Sequence, residues 1–119
     1  MTDYYDPADR AHTADYKRQT PEILAAWDAF DSAVFARDPA EGEPGPAVPL
    51  RYRELMAIAV ALTTQCAYCL DWHTRAAEQA GATKKELAEA AWVATAVRAG
   101  GAFAHGRMMF KLSSDHSHG

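Results

Sequence analysis

Cys66-Ala67-Tyr68-Cys69-Leu70-Asp71-Trp72-His73 gathers both cysteines of the chain and one of its five histidines into eight positions. On a helix, Cys66, Cys69 and His73 fall at i, i+3 and i+7, a single stripe. Thiols at i and i+3 can close a disulfide with little backbone movement. A histidine one turn beyond Cys69 can take and return a proton near neutrality. If the pair opens a helix, unpaired backbone N–H groups and the positive end of the helix dipole favour a thiolate there. Dithiol–disulfide chemistry beside a proton carrier is the leading reading. Two others stay open: a metal site with Cys66, Cys69 and His73 as three ligands, and a pair of small, inert core thiols.

Glu54 stands in an otherwise apolar stretch, ELMAIAVAL. Near a helix start it can act as a cap; buried, it needs a partner, and a histidine from the next helix is the natural one. Tyr68 can offer a hydroxyl to the site or pack as an aromatic, while Asp71 and Trp72 point off the stripe. His105, in GGAFAHGRMMF, is a supporting or substrate-side candidate, because the adjacent glycine pair permits close backbone approach. Arg98 is either a charge partner for an anion or a solvated helix-end arginine. Met108 and Met109 read as packing residues. His116 and His118 lie in a polar tail and suit only adventitious metal.

The elements that must position these groups read as helices. Residues 1–6 form a frayed start, and Asp9 to Lys17 a short helix or an arm across a neighbour. Thr20 as N-cap and Pro21 as first helical residue open a helix to about residue 35. Its Ile23, Leu24, Trp27, Phe30 and Val34 recur at helical spacing, as core or subunit interface. Residues 37–49, dense in proline and glycine, form a loop. A helix over about 50–64 carries Leu55, Ile58, Ala59 and Leu62 on its apolar side. Thr63-Thr64-Gln65 supplies capping groups and a break. The next helix, from Cys66 or Ala67, stops at Gly81. Thr83-Lys84-Lys85-Glu86 is a capping box that opens a helix with Leu87, Ala91, Ala94 and Val97 along one side. Gly100-Gly101 is expected to interrupt it, with a last helix over 102–112 and a mobile tail over 113–119.

At 119 residues, 49% hydrophobic and 24% charged, the chain has the composition of one globular domain, residues 1–119. Abundant alanine and scattered β-branched residues favour an all-α fold. Alanine-rich helices bury little area each, so pairing with further copies is an expected way to complete the core. A net charge of −4 without a basic stripe argues against nucleic acid. The polar, acidic start MTDYYDPADR is unlike a signal peptide, and the longest apolar run, Leu55 to Leu62, is too short to span a bilayer. A cytoplasmic location is the resulting expectation, and there a single C-x-x-C pair is redox-active or metal-binding rather than a staple.

Glu54, eleven intervening residues, then Cys66-Ala67-Tyr68-Cys69 and His73 resemble the E-x11-C-x-x-C-x-x-x-H signature of alkylhydroperoxidase D-like proteins in the carboxymuconolactone decarboxylase superfamily. The likeness spans about residues 50–112 and includes the following GATKKELAEAAWVATAVRAGGAFAHG segment. It implies an all-α bundle built around a helical hairpin and assembled as dimers, trimers or hexamers. It also implies reduction of small hydroperoxides without a bound cofactor, through a Cys66–Cys69 disulfide reset by a dithiol or thioredoxin-like partner. In that scheme Cys69 resembles the peroxidatic thiol and Cys66 the resolving thiol, with His73 and Glu54 as the proton relay. The best-known peroxidase members carry a histidine directly before the second cysteine, where this chain has Tyr68. Decarboxylase members lack the cysteine pair, so lactone decarboxylation is the less favoured activity. A metal-dependent enzyme and a non-catalytic redox-sensing module are the alternatives.

Overall fold

A computed structural model describes residues 5–116, and among these the chain is helical with no strand. A 3-10 turn over Pro7–His12 leads into α1 (Thr13–Gln19), α2 (Pro21–Val34), α3 (Leu50–Thr64), α4 (Ala67–Gln79) and α5 (Lys84–His116). The centre of the fold is α3, which packs against both α4 and α5. None of the described helices is long and apolar enough to cross a membrane.

The joint between α3 and α4 is two residues long. Gln65 adopts a left-handed conformation (φ 57°, ψ 42°) and Cys66 an extended one (φ −94°, ψ 102°). The N–H groups of Gln65 and Cys66 both close on the Ala61 carbonyl, which ends α3 and turns the chain back along it. Thr63 and Thr64 bond their own helix at Val60 O and Ala61 O, so the cap of α4 comes from Cys66 rather than from the threonines. Packing along α3 runs through Glu54, Ile58 and Ala61, all buried and at i, i+4 and i+7. The expected apolar side was one position off: Leu62 is exposed, and Leu55 and Ala59 are half-buried. Ala77 of α4, fully buried, and Ala94 of α5 complete the small core.

At the start of α3, Pro49 has no side-chain group to cap the helix. Asp38 does it from twelve residues upstream, accepting the Leu50 N–H at 2.7 Å. The expected Thr20 cap on α2 is absent, because the Thr20 hydroxyl donates to Tyr16 O at 3.1 Å and so finishes α1. Gly81 takes a positive φ of 98° after α4, where only glycine is at ease.

α5 corrects two expectations. Gly100 and Gly101 do not interrupt it; it continues unbroken for 33 residues, about 50 Å at the α-helical rise. A helix-interior glycine costs about 1 kcal/mol relative to alanine, which alanine-rich flanks can absorb. Ser113–His116, expected in a mobile tail, are its last turn, while His118 lies outside the described residues. The capping box forms as read: Glu86 N–H donates to Thr83 Oγ1 at 3.1 Å and Thr83 N–H to Glu86 Oε1 at 2.9 Å. Substituting Thr83→Ala should therefore lower stability by about 1 kcal/mol in chemical denaturation. A loss within a few tenths of zero would show that this cap contributes nothing.

Candidate active site

The α3–α4 turn brings Glu54 to His73. Glu54 is 3% exposed, and its Oε2 lies 2.7 Å from His73 Nδ1. A carboxylate on Nδ1 makes that nitrogen the donor and leaves the ring's lone pair on Nε2. The second constraint on the imidazole is Phe35, at the C-terminal end of α2, whose ring centroid stands 4.8 Å away at 35°. His73 is thus held at one edge and across one face.

The cysteine pair occupies the other end of the α4 stripe. Cys66 is the N-cap of the helix, and its Sγ accepts the Cys69 N–H at 3.3 Å. The two sulfurs are at disulfide distance, with 5.3 Å between Cα atoms. Both cysteines are half-buried. Cys69 and His73 stand at i, i+4, where Cβ atoms on one helix face are about 5–6 Å apart. The N-cap position supplies Cys66 with a backbone donor and the positive end of the dipole, the environment that stabilises a thiolate.

Tyr68 lies between the cysteines but turns outward. Its hydroxyl donates to Asp9 Oδ2 at 2.5 Å, and its ring meets Tyr5 edge-on at 4.8 Å. Asp71 and Trp72 also face outward as read. Asp71 accepts from the Tyr5 hydroxyl and pairs with Arg75 at 2.7 Å, and the Arg10 guanidinium lies 4.1 Å over the Trp72 ring. The amino-terminal segment is therefore strapped across the outer face of α4. His105 is not brought to the cysteines within one chain; its Nδ1 faces Gly101 O of its own helix at 3.1 Å. Arg98 donates to Thr63 O at 2.8 Å, a cation on the carbonyl end of α3. Met108 and Met109 are exposed rather than packed. Among the described residues no group of three or more His, Cys, Asp or Glu side chains is placed to hold a metal ion.

Two residues escaped the sequence reading. Phe35 carries no polar group and sits beyond the motif. Arg53 adjoins Glu54, and its side chain, only 12% exposed, binds the carbonyls of Val34, Ala36 and Val48. Neither has a sequence signal, because Phe35 meets His73 and Arg53 meets the end of α2 across more than fifteen residues.

The family model for the carboxymuconolactone decarboxylase family matches residues 21–111. The chain belongs to that family. A Paracoccus denitrificans protein named "uncharacterized protein 4 in cox locus" is 37% identical over 105 residues, 88% of this chain and 87% of its own. The solved structure of a Methanobacterium thermoautotrophicum protein is 32% identical with a TM-score of 0.65, covering 78% of this chain and 98% of that one. A family member from Legionella pneumophila shares the fold at 23% identity, with a TM-score of 0.63 over 74% of this chain and 71% of its own. The family match begins at the first residue of α2, so the helix that delivers Phe35 lies within it.

The strap has a pH signature. Its hydrogen bond to Asp71, with burial and the carboxylate's charge, pushes the Tyr5 phenol up from 10.0 to about 12. The same bond, joined by Arg75 and Arg10 and opposed by burial, holds Asp71 below its ordinary 3.8. A raised phenol stabilises the folded strap fully below pH 10.0 and loses that contribution as pH climbs to about 12. A lowered carboxyl contributes above 3.8 and loses its share on acidification. The latch is therefore strongest between those two values. An ultraviolet phenolate titration should show a late step near pH 12 that Tyr5→Phe removes; the same late step in Tyr5→Phe would refute the assignment.

Proposed function

We propose that this chain is a thiol-dependent peroxidase or dithiol–disulfide oxidoreductase acting on small hydroperoxides. The observation that supports it most is the Glu54–His73 hydrogen bond on the helix whose first turn holds two sulfurs at disulfide distance. His73 Nε2 takes the Cys69 proton. The thiolate attacks one peroxide oxygen, the O–O bond breaks, and Cys69 becomes a sulfenic acid. The departing alkoxide receives the proton back from His73 and leaves as alcohol, or as water when the peroxide is hydrogen peroxide. Cys66, readied as a thiolate by the Cys69 N–H, then attacks the Cys69 sulfur; hydroxide leaves and is protonated to water as the disulfide forms. An external dithiol supplies two electrons by exchange and is itself oxidised to a disulfide. Glu54 holds the imidazole in the tautomer this cycle needs. A reducing, cytoplasmic compartment suits the cycle.

Hydroperoxide should consume both free thiols of the reduced protein, and dithiothreitol should restore them. Cys69→Ser should lower the rate of peroxide consumption at least 100-fold. Thiols that oxidise without any turnover on a dithiol would favour a redox-sensing module instead. Peroxide treatment that yields no Cys66–Cys69 disulfide would remove the mechanism altogether.

The working form in this reading is a homo-oligomer. Ile23, Trp27 and Phe30 of α2 are 57–70% exposed, and Val97, Phe103 and Phe110 of α5 are 69–73% exposed. The radius of gyration is 19.7 Å, against about 13.5 Å for a compact chain of this length. A second copy of the same helices is the partner these faces suit. Light scattering on a sizing column should give a multiple of 13.0 kDa. A monodisperse monomer at micromolar concentration would count against assembly while leaving the thiol chemistry intact.

A further inference from the structure

Arg53 and Glu54 are neighbours on α3, so their side chains leave the helix about 100° apart. Glu54 reaches α4 and holds His73 at Nδ1. Arg53 reaches the end of α2 and the loop before α3, and its three nitrogens are all engaged. Nη1 donates to Val34 O at 2.8 Å, Nη2 to Ala36 O at 2.6 Å and Nε to Val48 O at 2.8 Å; Nη2 also lies 3.3 Å from Asp38 Oδ1. Val34 and Ala36 flank Phe35, the residue whose ring lies against the imidazole. The guanidinium thus grips the backbone on both sides of that ring. Only a planar fork with several divergent donors can do this, and a lysine ammonium is a single point.

We infer that Arg53, acting through Phe35, is a positioning residue for the proton carrier His73. The inference rests on the proposed role of His73 in the thiol cycle, but the placement it describes is separable from that cycle. Without the ring, Glu54 still binds Nδ1, yet the imidazole is free to swing about that one bond and to meet water on the opened face. With it, the ring is fixed by an edge and a face, Nδ1 stays the donor, and Nε2 is the proton-accepting nitrogen. The charge of Arg53 also completes α2, because a cation on the last carbonyls of a helix opposes its negative end. Asp38 shares in the arrangement by capping α3 at Leu50 N while touching Arg53, so the loop over 37–49 is tied to the same point.

Two readouts decide the matter. In protein labelled with nitrogen-15 histidine, His73 should show one tautomer, protonated on Nδ1 and bare on Nε2. Phe35→Leu and Arg53→Gln should each mix the tautomers and slow hydroperoxide reduction about tenfold. Phe35→Tyr, which keeps the ring, should keep the single His73 tautomer, whereas Arg53→Lys should behave like Arg53→Gln. The double variant Phe35→Leu/Arg53→Gln should be no worse than either single one, since both remove the same support. If Arg53→Gln lowers the melting temperature while His73 keeps its single tautomer, the arginine is only structural and the inference fails. If wild-type protein has no peroxidase activity, the proposed function fails, and the histidine signals still decide for or against the positioning role.

Discussion

The fold turns on one buried carboxylate. Glu54 lies at the packing seam of α3, on the same stripe as Ile58 and Ala61, and its hydrogen-bonding partner is His73. A buried acid without a partner is costly, and breaking such a pair by removing one member typically costs about 3–5 kcal/mol. To supply the partner, α4 must fold back beside α3. The chain must then reverse within two residues, which puts Gln65 in a left-handed conformation and Cys66 in an extended one. Cys66 becomes the N-cap of α4 for that reason. The hairpin and the arrangement of the two sulfurs at its turn therefore solve one geometric problem.

Much of this could be read from residue types because it is local. The start of α2 at Pro21, the end of α3 at Gln65, the stop at Gly81 and the Thr83–Glu86 box depend on close sequence neighbours. What failed depended on a global choice. The apolar side of α3 was assigned from its hydrophobic residues, which placed Leu62 inside and treated Glu54 as an exception to be explained. Glu54 is in fact on the seam, so the buried stripe is rotated toward Ala61. A hydrophobic pattern cannot reveal a face that has a charged residue at its centre. The glycine pair misled for a different reason: a local penalty of about 1 kcal/mol per residue is small beside the cooperativity of a long helix.

The candidate site was legible to the same extent. Glu54, Cys66, Cys69 and His73 have chemistry-bearing side chains at recognisable spacing, and the hairpin joins Glu54 to His73 and sets the two sulfurs together. Phe35 and Arg53 do not announce themselves, since an aromatic wall and an arginine bound to carbonyls look like ordinary packing and ordinary surface charge. Asp38 is similar: a cap twelve residues from its helix has no local signature. The family match over residues 21–111 includes both Phe35 and Arg53, so the stretch that supports the imidazole belongs to the same unit as the cysteine motif.

Tyr68 gives the departure from the peroxidase pattern a physical content. The position before the second cysteine is on the first turn of α4, and here its side chain joins Tyr5 and Asp9 instead of serving the sulfurs. The residues that follow continue the same outward face, with Asp71 on Tyr5 and Trp72 beneath Arg10. One side of α4 is thus committed to anchoring the amino-terminal segment, and the other holds Cys69 and His73. In the proposed cycle, a histidine at Tyr68 would have been a second proton carrier beside the pair. Its replacement by a phenol that is already hydrogen-bonded leaves the traffic to His73, so the support of that one ring by Glu54 and Phe35 matters more here than in a site with two histidines.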